Sequence, residues 1–289
     1  MRIATRGSAL ALTQARWVAE RLGGAELVEA SSDGEPGDKS RFVRGVERVL
    51  LAGGAEIGVH SAKDLPGEMP EGLEIASVPP REDPADVWIG AGSSLDDAPE
   101  GARVGTASLR RRAQLLAARP DLRVEELHGN VDTRLRKLEE GELDAIVLAA
   151  AGLRRLGREG EIGFAIPVDR MVPAAGQGAL ALQVRAGDEA TIDTASTIND
   201  LDAMRELTAE RTVVALLEAT CASPLGVHAR VEGRGIAIDA FVGLPDGSEW
   251  LRDRIDGNAE EPALAGAELT QRLLGAGARE ILDRAEEMA

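Results

Sequence analysis

The chain has one cysteine, no tyrosine and few aromatic residues of any kind, 2% of 289 positions. A lone thiol cannot close an internal disulfide, so the fold must be held by its core. Scarce aromatics and a formal net charge of −17, with an isoelectric point near 4.7, speak against nucleic acid, which is bound by basic faces carrying stacking platforms. No segment approaches the roughly 18 apolar residues of a membrane span. Met1-Arg2-Ile3-Ala4-Thr5-Arg6 runs directly into a strand-like stretch without a charged-then-apolar leader. The expectation is a soluble, cytoplasmic protein with neither a nucleic-acid nor a membrane partner. Lysine is scarce too, confined to Lys39, Lys63 and Lys137. An acidic, lysine-poor surface stays soluble where salt screens charge, the screening length being about 3 Å at about 1 M, and predicts a salt-rich cytoplasm.

What is present is a sizeable hydrophobic fraction, 44%, enough to build two or three cores at this length. Strand-like and amphipathic stretches alternate through the first two-thirds: strands at 2–5, 26–30 and 56–60 and helices at 9–22 and 42–51. After the proline-dense run Val78 to Pro84, a second unit repeats the alternation, with strands at 103–105, 122–127 and 145–149 and helices at 109–118 and 131–140. A strand at 178–184 reads as a return to the first sheet, and 190–217 as mainly helical. Alternation of this kind predicts mostly parallel sheets with ligands at the strand carboxyl ends. Beyond Cys221 the pattern becomes successive strands at 227–232, 235–242 and 249–256, with Pro245-Asp246-Gly247 as a turn, then a helix over 263–285. The fold class is therefore α/β: domain 1 from 1–79 and 178–198, domain 2 from 84–172, and a small α+β domain 3 from 200–289. The polar stretch 31–40 is expected to be a loop.

Cys221 lies in the turn-like segment Thr220-Cys221-Ala222-Ser223-Pro224-Leu225-Gly226, which presents a thiol to solvent more readily than it buries one. Against the acidic background, Arg6, Arg81, Arg110, Arg111, Arg134 and Arg155 stand at apparent element ends beside glycine, serine or threonine. Guanidinium forks hold carboxylates bidentately, so these arginines suit a small, heavily carboxylated ligand. No metal site is expected.

The segments that follow strands are Thr5-Arg6-Gly7-Ser8, His60-Ser61-Ala62-Lys63-Asp64-Leu65-Pro66, Gly105-Thr106-Ala107-Ser108-Leu109-Arg110-Arg111, Gly129-Asn130-Val131-Asp132-Thr133-Arg134, Ala151-Gly152-Leu153-Arg154-Arg155 and Pro173-Ala174-Ala175-Gly176-Gln177-Gly178. In this order, with Cys221 downstream, the set resembles the porphobilinogen deaminase (hydroxymethylbilane synthase) family over nearly the whole chain. The resemblance implies two lobes like those of bacterial solute-binding proteins around a cleft, plus a third domain, in a monomer. It implies a transferase that condenses four porphobilinogen molecules head to tail with loss of ammonia, working from a covalent dipyrromethane cofactor. By the same resemblance Cys221 carries that cofactor through a thioether and Asp64 is the catalytic carboxylate. Lys63, Ser108, Arg110, Arg111 and Arg134 hold the cofactor's carboxylates, while Arg6, Ser8, Arg155 and Gln177 contact substrate.

Two departures stand out. The family's arginine before the Gly-Asn pair is His128 here, which leaves that substrate contact open between an imidazolium and a space-filling ring. The segment over the cleft, Asp38-Lys39-Ser40-Arg41-Phe42, is shortened, with Lys39 and Phe42 in the lid positions. Two rival readings are a two-lobed carboxylate-binding module without chemistry, and a cysteine hydrolase pairing Cys221 with His60, His128 or His228.

Overall fold

The computed structural model describes residues 1–31 and 40–288. The expected loop over 31–40 lies almost wholly outside the described residues.

Lobe one is a five-stranded sheet of β1 (Arg2–Arg6), β2 (Glu26–Ala30), β3 (Ile57–Ser61), β4 (Leu73–Ser77) and, after a long excursion, β10 (Leu180–Arg185), in the order β2-β1-β3-β10-β4. Helices α1 (Ala9–Arg21) and α2 (Ser40–Leu51) cover it. Lobe two repeats the plan as β7-β6-β8-β5-β9, from β5 (Asp86–Gly90), β6 (Arg103–Gly105), β7 (Arg123–Glu125), β8 (Ala145–Ala149) and β9 (Phe164–Ile166). Its helices are α3 (Leu109–Ala118), α4 (Val131–Glu139) and α5 (Ala150–Arg155). Ile3, Val18, Ile57 and Leu182 are fully buried in the first lobe, and Trp88, Leu115, Val147 and Ile166 in the second. Each buried aliphatic or aromatic side chain of this size contributes about 1.5–3 kcal/mol.

The sheets are mixed rather than mostly parallel. β1 runs parallel to β2 and β3, but β10 is antiparallel to β3 and β4, and β5 is antiparallel to β8 and β9. The chain crosses between lobes twice, before β5 and again before β10, so a strand arriving from the other lobe enters its sheet from the far end. Strands β4, β5 and β9 carry no clear signal of period two: β5 begins with a buried Asp86, and β9 is three residues long.

The third domain is the antiparallel sheet of β11 (Leu225–Glu232), β12 (Gly235–Gly243) and β13 (Trp250–Asn258). It packs on α7 (Leu201–Leu216), α8 (Pro262–Gly275) and α9 (Ala278–Glu287), while α6 (Glu189–Ser196) stays with the first lobe. The stretch 190–217 is two helices, because Asp200 caps α7 by accepting from Ala203 N at 2.8 Å. The last helix is likewise broken, at Gly277, whose φ of 98° no ordinary residue adopts cheaply. The β12–β13 turn also needs its glycine: Gly247 has φ 73°, and a Cβ there would lie 2.5 Å from Ala117 N on α3. The tip of domain 3 is thereby seated against the helix of lobe two that carries Arg110 and Arg111.

Candidate active site

Three of the segments singled out from sequence open helices. Ser8, Ser108 and Asn130 are the N-caps of α1, α3 and α4, their side-chain oxygens accepting from Ala11 N, Arg111 N and Thr133 N at 3.4, 3.4 and 2.9 Å. Helix N-termini present amide donors and a favourable dipole to anions, and here they point from both lobes.

Strand β3 runs into a single 3₁₀ turn, Ala62–Asp64. Successive residues on such a turn are about 120° apart, so neighbours face different ways. Lys63 lines a cavity of about 80 Å³ with Ser108, Arg110, Arg211 and Cys221. Asp64 lines a second, of about 50 Å³, with Arg6, Ser8 and Gln14. Arg6 Nη1 donates to Asp64 Oδ2 at 3.4 Å, and Gln14 Nε2 to Ser61 Oγ at 3.0 Å. Cys221 is exposed on a loop shaped by its own small polar residues: Thr220 N donates to Ser223 Oγ at 2.9 Å and Ser223 N to Thr220 O at 3.1 Å.

Behind Lys63 and Arg110 of the Cys221 cavity lies a buried polar network that the sequence does not reveal. Asp86, fully buried, accepts from Arg110 Nη1 at 2.7 Å, from Arg111 Nε at 2.9 Å and from Gln177 Nε2 at 3.0 Å. Burial alone would raise its pKa, but the two guanidiniums prevail and hold it far below the usual carboxylate range. Arg110 and Arg111 also donate to Val172 O and Val147 O. Two arginines sharing one aspartate leave one net positive charge at this spot. Gln177 donates further to Pro84 O at 2.6 Å and accepts from Lys63 Nζ at 3.4 Å. The substrate contact expected of Gln177 is not what the geometry offers: its side chain is fully buried and its amide is engaged at both ends, holding the lobes together.

The remaining expected residues divide clearly. Burial together with neighbouring Arg111 lowers the Arg134 pKa to about 10, and its buried Nε has no hydrogen-bond partner. Burial likewise lowers Arg155 to about 10, and its Nη2 donates to Gly178 O at 2.6 Å. Lys63 is lowered to about 8, chiefly by burial and then by Arg111. Arg81 belongs to a different structure, a buried fork onto Glu210 at 2.8 and 3.2 Å with Glu206 at 3.3 Å, rather than to a ligand site. Glu210 also accepts from Gly176 N at 2.6 Å and Ala229 N at 2.7 Å. It sits on the buried stripe Ala203, Leu207, Glu210, Val213 of α7, so a charge at a core position was the available signal. His128 is exposed beside Glu126, 3.0 Å from its Oε1. Lys39 lies outside the described residues, as does the side chain of Phe42 on α2.

None of the three histidines lines the Cys221 cavity. His60 is buried against Gln183 Oε1 at 3.0 Å, with its pKa lowered to about 4 by burial, and His228 is buried beside Glu210. The cysteine-hydrolase reading therefore fails. Among the described residues no helix is long and apolar enough to cross a membrane.

A two-lobed α/β fold with a cation-lined cleft and a third domain presenting a thiol defines a class of enzyme that holds carboxylated ligands. Residues 1–193 match the family described as porphobilinogen deaminase, dipyromethane cofactor binding domain, and residues 204–275 match the porphobilinogen deaminase C-terminal domain. The chain is 43% identical to a porphobilinogen deaminase from Campylobacter concisus, covering 100% of this chain and 99% of that protein. It is 44% identical to one from Deinococcus deserti, covering 99% and 98%. The chain belongs to the porphobilinogen deaminase family. Among solved structures, an L-cystine solute receptor of Neisseria gonorrhoeae is 19% identical with a TM-score of 0.39, covering 75% of this chain and 89% of that one, a likeness too low to carry an argument.

Proposed function

We propose that the two cavities divide the work of hydroxymethylbilane synthesis, the one at Cys221 holding the growing chain and the one at Asp64 activating each incoming unit. The enzyme is a hydroxymethylbilane synthase, a transferase that joins four porphobilinogen molecules head to tail, releases ammonia at each addition and frees the linear tetrapyrrole by hydrolysis. The observation that carries the division is that consecutive residues, Lys63 and Asp64, line the two cavities.

The residues present fit a dipyrromethane. Its two pyrrole rings bring four carboxylates, and Cys221's cavity is lined by Lys63, Arg110 and Arg211, while Arg134 Nε is buried without a partner. Bound through a thioether to Cys221 Sγ, the group would supply the free pyrrole α-carbon to which the first unit is joined, each later unit joining the terminal ring of the growing chain. Lys63, Ser108, Arg110 and Arg134 bind its carboxylates, and Asp86 and Gln177 orient Arg110, Arg111 and Lys63. Arg6 and Ser8 seat the carboxylates of the incoming porphobilinogen so that its aminomethyl group lies at Asp64. As that group departs as ammonia, cationic charge develops on the substrate, and the Asp64 carboxylate stabilises it and accepts a proton from the pyrrole nitrogen. Arg155, which donates to Gly178 O, is read as a further contact to the substrate's carboxylates. We read the protein as a cytoplasmic monomer with no nucleic-acid partner, its acidic surface suited to high salt.

Intact-mass spectrometry of the purified chain, before and after porphobilinogen, tests the reading. Expected is an adduct of two pyrrole units mapped to the Cys221 peptide, followed by stepwise addition of further units. An unmodified thiol and no additions would refute it.

A further inference from the structure

The chain carries 50 acidic residues, yet among the described residues no aspartate or glutamate lines the cavity at Cys221, while Lys63, Arg110 and Arg211 do. Two of these cations belong to the motifs of the cleft. Arg211 does not: it comes from α7 in the third domain, ten positions before the thiol.

We propose that Arg211 is a carboxylate-binding residue of this cavity, taking a carboxylate of the pyrrole ring joined to Cys221 alongside Lys63 and Arg110. The proposal rests on the assignment of Cys221 as the attachment point. Helix α7 fixes where Arg211 points, because its neighbour Glu210 is clamped by Arg81, Gly176 N and Ala229 N. The guanidinium itself donates from Nη2 to Gly67 O at 3.0 Å, three residues beyond Asp64. A single carbonyl uses a small part of the five N–H donors of arginine. Arg110 shares the Asp86 carboxylate with Arg111, which leaves charge for a ligand there, and Arg81 has Glu210. Arg211 is half-buried, and burial draws its pKa down with no acidic neighbour raising it again, the condition of a cation shaped for an anion that arrives from outside the chain.

The alternative is a plain tether, in which Arg211 only ties α7 to Gly67. The two roles separate when loading of the cofactor is measured apart from stability. The full-length chain produced without cofactor is incubated with porphobilinogen, and the two-ring adduct on Cys221 is timed by intact mass, with thermal midpoints recorded before and after loading. Arg211→Gln is expected to slow loading by about tenfold or more, the scale of a lost charge-assisted hydrogen bond, and to narrow the gap between loaded and unloaded midpoints. Arg211→Lys should restore part of both, since charge remains and the fork is lost. Arg211→Met, which keeps the packing of the stem, stands in if the Gln variant does not fold. Loading at the wild-type rate with an unchanged gap, in whichever variant folds, overturns the proposal even if both midpoints fall together. If the wild-type adduct maps to a residue other than Cys221, the attachment reading itself fails, and this inference with it.

Discussion

Lys63 and Asp64 are consecutive residues that share one 3₁₀ turn and line separate cavities. A one-residue shift of that turn would bring a carboxylate into the first cavity or an ammonium into the second. The turn is held by Gly176, whose φ is 71° and whose Cβ, were there one, would lie 2.9 Å from Lys63 N. Lys63 is further tied to Gln177.

Asp64→Asn keeps the shape of the side chain and withdraws its charge. The carboxylate is about two-fifths exposed, so the fold should be unaffected. Steady-state kinetics should show kcat lower by about 10²-fold or more with a much smaller change in KM, as for loss of an electrostatic group acting in the transition state. A kcat within a few-fold of wild type would remove Asp64 from the catalytic role.

Cys221→Ser should fold normally, because the residue is exposed on a loop shaped by Thr220 and Ser223 rather than by sulfur. A hydroxyl is a far weaker nucleophile than a thiolate, so the variant should lack the two-ring adduct. Detection of the full adduct at normal turnover in Cys221→Ser would contradict the assignment.

Lys63 gives a pH dependence with two opposite signs. Its folded-state pKa of about 8 lies below the ordinary lysine value of 10.5, so between these pH values the unfolded chain holds a proton that the folded chain has released. The Lys63 contribution to stability therefore rises as pH climbs through this window. Over the same range the cavity loses a cation, so loading of the cofactor onto the chain without it should slow above about pH 8. Lys63→Arg should flatten that decline, because arginine stays charged. Loading rates independent of pH from 7 to 10 in the wild type would sink the idea.

Arg81 and Glu210 form a buried fork, and removing one partner strands the other. Arg81→Met leaves Glu210 buried beside Glu206 and should destabilise the protein by about 3–5 kcal/mol, read from urea unfolding. The double variant Arg81→Met/Glu210→Leu should lose less than the single change, since the fully buried Glu210 charge is removed together with its partner. A single-variant loss below about 1 kcal/mol would show that the pair is relieved by water.

Much of this was legible in the sequence because period and punctuation agree. Strands β2, β6 and β8 and helix α3 fall at their expected ends, each bounded by glycine, serine or an abrupt change of polarity. The hairpin at Pro245-Asp246-Gly247 stands where its turn residues put it. Parallelism was misjudged because local alternation says nothing about a strand that returns from another lobe, as β10 does. The candidate site was legible as motifs but not as contacts. Arg110 and Arg111 read only as ligand donors, without their second role toward Asp86, because nothing in their own segment reveals that residue, 24 positions upstream of Arg110. Gln177 read as a substrate contact for the same reason, its partners Pro84, Asp86 and Lys63 being 91 or more residues away. Charges in apolar surroundings, Asp86 at the head of β5 and Glu210 on the inner face of α7, were the marks that pairing lay elsewhere.

The Glu210 junction also governs how the molecule comes apart. A chain of this length with separate cores would ordinarily melt in stages, module by module. Here the acid comes from the third domain, the guanidinium from the crossing into lobe two, and one backbone donor from the return crossing. Undocking the third domain pulls Glu210 away from Arg81 and Gly176 N, so partial unfolding breaks the buried ion pair. Heating should accordingly give one cooperative calorimetric transition, its van't Hoff and calorimetric enthalpies nearly equal, and Arg81→Met should split that transition into two.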